Sequence, residues 1–201
     1  GDLLLVVGDK ASVVAQALGE LRLEMARRRN LIDADKLCFL WVVDFPMFEY
    51  VEEEKRYKAM HHPFTAPREE DEEFLLSDPA RVKANAYDIV LNGVEVGGGS
   101  LRIYRSDLQE KVFEAIGLTH DEAHAKFGFL MDAFEYGTPP HGGIAFGLDR
   151  LVMLMAKRKS IRDVIPFPKT QSAIDPMSHA PSEVDEKQLR ELYIKTSVKK
   201  K

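Results

Sequence analysis

An α/β fold is predicted, and three stretches of the chain carry the prediction. Alternating apolar residues flank Asn92-Gly93 within Tyr87–Arg102, the pattern of a two-residue β-hairpin. The apolar run Leu37–Val43 ends at Asp44-Phe45-Pro46 and suits a central strand buried on both faces. Ile144-Ala145-Phe146 is a short strand that runs directly into Gly147–Met155, whose apolar residues recur at helical spacing.

The remaining elements follow in chain order. Leu3–Val7 reads as a strand, followed by a helix with Val14, Leu18, Leu21 and Met25 on one face and Asp9 or Ser12 as its cap. Arg27-Arg28-Arg29 closes that helix, where cations suit the macrodipole; contact with nucleic acid is the competing reading. Phe48–Val51 and Arg56–Met60 form a second hairpin, His61–Pro67 is loop-like, and the acidic run Glu69–Glu73 reads as a solvated face. Ser106-x-x-Gln109 and Thr119-x-x-Glu122 are capping boxes opening two helices, with Gly117 and Gly137 at C-cap positions. Thr138–Gly143 is a loop, a last capped helix covers Ser182–Ile194, and Lys199–Lys201 is a frayed tail.

Composition narrows the function classes. An apolar fraction of 45% with 30% charged residues is that of an ordinary globular protein. No apolar run approaches the ~20 residues needed to span a membrane. The first residues lack a secretory signal, lack an initiator Met and open on a strand-like run, which points to a chain cut from something longer. A single cysteine, Cys38, excludes an internal disulfide framework, fits a reducing cytoplasm and is expected in the core. A net charge of −5 argues against a nucleic-acid binder over its whole surface, while a local basic groove stays open.

Two places carry chemistry. Pairing around Asn92-Gly93 sets Leu91 opposite Val94, Val90 opposite Glu95 and Asp88 opposite Gly97. Asp88 and Glu95 then share a face as diagonal neighbours, ~6–8 Å apart at Cβ. Carboxylates beside Gly97–Gly99 suit a metal-bound anion lying against the backbone, and a plain solvated hairpin is the alternative. Arg150 lies in the first turn of the Gly147–Met155 helix, where the dipole already favours anions. An arginine there is mismatched unless an anion such as a terminal phosphate sits between, or unless Asp149 simply neutralises it.

Gly143-Ile-Ala-Phe-Gly-Leu-Asp-Arg-Leu151 resembles motif 3 of the class II aminoacyl-tRNA synthetases. Phe45-Pro-Met-Phe48, His61-His-Pro-Phe-Thr65, Val94–Ile103, Pro139-Pro-His-Gly-Gly143 and Ile161–Thr170 narrow the resemblance to the bacterial-type aspartyl-tRNA synthetases, over residues 34–195. Tyr104 and Lys157–Lys159 depart from that family's usual pattern. The resemblance implies a mostly antiparallel sheet flanked by helices, left incomplete. Residues 1–33 would end the domain that bacterial-type members insert, and 34–201 would be the C-terminal part of the catalytic domain. Motif 1, motif 2 and the anticodon-binding domain are not recognisable, so the isolated chain is expected to be inactive.

Site roles follow from the same resemblance. It implies a cytoplasmic enzyme that activates aspartate with ATP and Mg²⁺ and transfers it to tRNA, homodimeric through motif 1. Asp88 and Glu95 would hold Mg²⁺ on the ATP phosphates. Arg150 would clamp the γ-phosphate beside Gly147, Leu148 and Asp149 of the ATP site. Arg102 would take the substrate's side-chain carboxylate in a two-pronged contact. His61 and His62 would lie on a mobile loop closing over aspartate, and Gly97–Gly99 would leave room for ligand. Glu95 and Arg102 stand an odd number of residues apart, so a regular strand would point them to opposite faces. A bulge is therefore predicted between Gly97 and Ser100, and regular pairing through that stretch would sink the Arg102 role. Another class II ligase (asparaginyl, lysyl or asparagine synthetase-like) and a non-catalytic synthetase-derived binding module are the alternatives.

Overall fold

Leu3–Val7 stays extended without pairing: among the described residues no strand lies alongside to complete a ladder, and Leu4 is 85% exposed. The computed structural model describes residues 1–33 and 35–197, so the expected tail Lys199–Lys201 falls outside the described residues. Helix α1 (Ala11–Arg28) forms as predicted, with Val14, Leu21 and Met25 half-buried and Leu18 exposed. Neither Asp9 nor Ser12 caps it. The N-cap is Lys10, whose N–H donates to Asp9 Oδ1 at 2.6 Å, so that carboxylate is spent one residue too early. Arg27 and Arg28 occupy the last turn and pair with Glu24 at 3.4 and 2.8 Å.

Four strands make an antiparallel sheet in the order β1 (Phe39–Val42), β4 (Ala86–Leu91), β5 (Val94–Leu101), β6 (Gly142–Phe146). The hairpin β2 (Phe48–Val51) and β3 (Arg56–Ala59) pairs separately, close to the predicted bounds. The run Leu37–Val43 was expected at the centre of a sheet, buried on both faces. It supplies β1 at the edge instead, with Phe39 and Trp41 each more than half exposed, and Cys38 is exposed too. Apolar residues on both faces state what the strand requires. Among the described residues the one aromatic contact to the strand is Tyr87, edge-on to Trp41 at 6.2 Å, and it leaves all four β1 residues exposed.

The core lies to one side of this sheet. Met47, Phe48, Leu75, Val82, Ala84, Ile103, Val112 and Phe113 pack between β2–β3, the 3₁₀ turns and helices α2 (Ser106–Ala115) and α3 (His120–Phe134). Phe64 meets Phe127 edge-on at 5.2 Å, and Phe127 stacks on Phe113 at 5.3 Å. The run Glu69–Phe74 is a 3₁₀ turn rather than a wholly solvated face, because Asp71 turns inward and accepts the Lys83 N–H at 3.0 Å. Thr119 and Glu122 form the predicted capping box, and Gly117 and Gly137 take φ of +79° and +89° just beyond their helices. The Ser106-x-x-Gln109 box does not form: Arg105 is the N-cap without a side-chain bond, and Gln109 is fully buried. Helix α4 (Leu148–Met155) follows β6 as expected. The last helix, α5, is only Glu186–Glu191, preceded by Asp185, which makes no capping bond.

Open surface is not confined to the sheet, since α1, α4 and α5 hold no buried residue either. The accessible surface is 15913 Å², where a compact chain of 22.8 kDa exposes about 9,600 Å². Among the described residues no helix is long and apolar enough to cross a membrane.

Candidate active site

The β4–β5 register builds the site. Leu91 faces Val94 and Val90 faces Glu95 as predicted, but Asp88 faces Gly98 rather than Gly97. Val96 has no partner in β4, so the irregularity falls there. Pairing is regular from Gly97 to Ser100, where the bulge was expected. By the stated criterion the Arg102 role would fall, but that criterion is too narrow: one extra residue anywhere between Glu95 and Arg102 meets the parity, and Val96 supplies it, its side chain 1% exposed. Counting by twos on either side of the bulge sets Asp88, Glu95, Gly98, Ser100 and Arg102 on one face.

The glycines are occupied by the protein itself, not only reserved for a ligand. A methyl on Gly98 would overlap Asp88 Oδ1, and one on Gly99 would overlap the Gly143 carbonyl, which the Tyr87 hydroxyl holds at 3.1 Å. At Gly147 an added methyl would meet the Arg150 side chain in ordinary van der Waals contact, Cδ nearest at 3.5 Å, so nothing there excludes it.

The bulge also anchors α4. With Val96 out of the ladder, its carbonyl accepts the Gly147 N–H at 2.9 Å. Arg150 Nη1 donates to the neighbouring Glu95 carbonyl at 2.8 Å and stands 3.5 Å from Glu95 Oε1. The acidic partner of Arg150 is therefore Glu95 and not the adjacent Asp149. Burial, and then the Glu95 charge, push the Asp88 carboxyl above its ordinary value, with His61 opposing. A hard cation between the two carboxylates would relieve that repulsion. Among the described residues no third acidic, His or Cys side chain joins the pair as a protein-only metal cluster. Other ligands would have to come from phosphate or water.

The histidines meet the other end of this face. His61 lies edge-on to Phe45 at 4.7 Å. The His62 ring packs on Phe64 at 4.8 Å, its Nδ1 accepts the Phe64 N–H at 3.2 Å, and its outer edge is exposed. That one-sided burial, and then the Arg102 charge, hold His62 below the ordinary histidine value. Arg102 Nη1 is buried without a hydrogen-bond partner, an unspent donor beside the carboxylate face. In this structure the loop is tied back to the fold: Thr65 N–H bonds His62 O at 3.0 Å and Ile103 N–H bonds Phe64 O at 2.9 Å. A cleft of about 580 Å³ opens beside Arg102, lined by Glu69, Glu72, Tyr104, Arg105 and His141; it does not reach Asp88, Glu95 or Arg150. Sequence reasoning missed Val96, Tyr87 and Gln109. Only the odd spacing of Glu95 and Arg102 hinted at the first.

Solved structures share this architecture. Aspartyl-tRNA synthetase from Entamoeba histolytica superposes with a TM-score of 0.52 at 23% identity, over 87% of this chain and 29% of its own. Asparaginyl-tRNA synthetase from Pyrococcus horikoshii gives 0.50 at 22%, over 69% and 28%. At those identities the likeness defines the fold class alone, an antiparallel sheet of the class II synthetase kind. The chain belongs to the class II tRNA synthetases (D, K and N), whose family model matches residues 13–171. It is 68% identical over 97% of its length to the aspartate–tRNA(Asp/Asn) ligase of Heliobacterium modesticaldum, and 61% over 96% to the aspartate–tRNA ligase of Ruminiclostridium cellulolyticum. The chain spans about a third of each relative, 32% and 33% respectively.

Proposed function

We propose that this chain carries the aspartate- and ATP-binding face of an aspartate–tRNA ligase, and that it works within a longer, cytoplasmic, homodimeric enzyme. Residues 1–33 would belong to an inserted domain and 34–201 to the catalytic domain. In the reaction the α-carboxylate of aspartate attacks the α-phosphorus of ATP and the bond to pyrophosphate breaks. A terminal ribose hydroxyl of tRNA then attacks the aspartyl carbonyl, and AMP leaves. Positioning and charge neutralisation supply most of such catalysis.

The observation that supports this reading best is the shared face of Asp88, Glu95 and Arg102, with a buried, unpartnered Nη1 on Arg102. Arg102 would bind the side-chain carboxylate of aspartate in a bidentate contact, flanked by His61 and His62. Arg150, drawn to Glu95 in this structure, would turn to the γ-phosphate, and Gly147, Leu148 and Asp149 would border adenosine. Asp88 and Glu95 would hold Mg²⁺, which when bound spreads the charge of the phosphates.

ATP–pyrophosphate exchange with each amino acid tests the reading. It is run on this chain alone and on the chain joined to the remaining two-thirds of the Heliobacterium relative. Aspartate-dependent exchange by the joined enzyme alone is expected. Exchange driven by asparagine or lysine, or none with any amino acid, would overturn it. Charging assays with the aspartate and asparagine tRNAs then separate strict from dual specificity.

A further inference from the structure

We propose that Gln109 is a positioning residue for the His61–His62 pair, acting through Pro63; the inference rests on the functional reading above. A long amide buried to 0% exposure is costly unless it is hydrogen-bonded. Its place in the chain, three residues after Ser106, would let it reach back and cap α2. It turns away instead, and Nε2 donates to the Pro63 carbonyl at 2.8 Å. Pro63 immediately follows the histidines and its ring restricts φ, so holding its carbonyl limits how the preceding residues can rotate.

The same helix holds the next residue as well. One turn beyond Gln109, Phe113 meets Phe64 edge-on at 6.1 Å. Helix α2 thus grips Pro63 by a polar bond and Phe64 by aromatic packing, leaving His61 and His62 projecting from a braced stem. Gln109 Oε1 has no partner, so the side chain keeps a buried acceptor unsatisfied while making one bond to the loop. A purely structural position would favour an apolar residue of the same length.

Gln109→Met is that residue: it removes both the bond and the orphan acceptor. Gln109→Asn is the second variant, keeping polarity but falling a methylene short of Pro63, and it reads the loop even where Met fails to fold. Proton NMR titration of the histidine rings in the 201-residue chain is expected to show His62 moving toward ordinary exposed-histidine behaviour in both variants. In the joined enzyme the KM for aspartate should rise about tenfold, with the KM for ATP within about twofold. An unmoved His62 titration, or equal changes in both KM values, would overturn the positioning role. If the parent enzyme shows no aspartate-dependent exchange while His62 still responds, the functional reading fails and the mechanical coupling stands.

Discussion

Gly98 and Asp88 face each other across β5 and β4 so closely that a methyl group on the glycine would overlap Asp88 Oδ1. The carboxylate lies flat over the neighbouring strand, which holds it on the face shared with Glu95 and Arg102.

Gly98→Ala should therefore act on chemistry more than on stability. The overlapped atom ends a side chain that can rotate away, so the fold is expected to lose only about 1–3 kcal/mol. Displacing the carboxylate by an ångström should cut Mg²⁺-dependent exchange about 100-fold in the joined enzyme. A full-activity variant with an unchanged Mg²⁺ requirement would remove Asp88 from the site.

Arg150→Lys is expected to raise the KM for ATP about tenfold. Arg150 Nη1 reaches both the Glu95 carbonyl and its carboxylate from the first turn of α4, and a guanidinium fork matches phosphate oxygens where an ammonium is a point charge. Initial-rate exchange against ATP concentration is the check, and an unaltered KM would sink the phosphate role.

The Asp88 carboxyl gives a pH dependence whose sign is set. Burial and Glu95 raise its folded value above 3.8, so the folded state binds this proton more tightly than the unfolded chain. Its contribution to stability is present below the unfolded value and is lost as pH rises through the folded one. In Mg²⁺-free buffer Asp88→Asn should melt above the parent at about pH 7 and close to it at about pH 3. Melting curves at both values decide it; a variant less stable at neutral pH would contradict the repulsion with Glu95.

Stability is expected to reside in the α2–α3 layer. Phe113→Ala, at 2% exposure in the parent, should cost about 3–5 kcal/mol in urea unfolding. Thr119→Ala, which dismantles the capping box, should cost about 1 kcal/mol. Equal costs at the two positions would mean that the aromatic cluster is not the core.

Local chemistry made part of this legible in advance. The Asn92-Gly93 turn and the Thr119–Glu122 cap depend on neighbours a few residues away, and both formed. The bulge at Val96 did not announce itself, because several positions between Glu95 and Arg102 satisfy the same parity; the glycines were already committed to Asp88 and the Gly143 carbonyl. Gln109 fitted a capping pattern as well as it fitted burial, and only tertiary contact with Pro63 decided between them. Leu37–Val43 reads as interior from its apolar content, yet burial of a strand depends on what lies above and below it. Trp41, the single tryptophan, sits on that open strand and will report by its emission whether the face becomes covered.

The unpaired Val96 gives β5 something like a reading frame of period two. Deleting it would alter no proposed ligand and would let the ladder run on without a break. Gly98, Ser100 and Arg102 would stay on the face of Asp88 and Glu95, because the deletion removes the one residue by which β5 exceeds β4 there. Losing a residue between Gly97 and Arg102 with the bulge left in place would instead turn Arg102 to the other side. Variation along this strand is therefore constrained first by whether an added or lost residue is taken up as a bulge, and only afterwards by the identity of most of its residues.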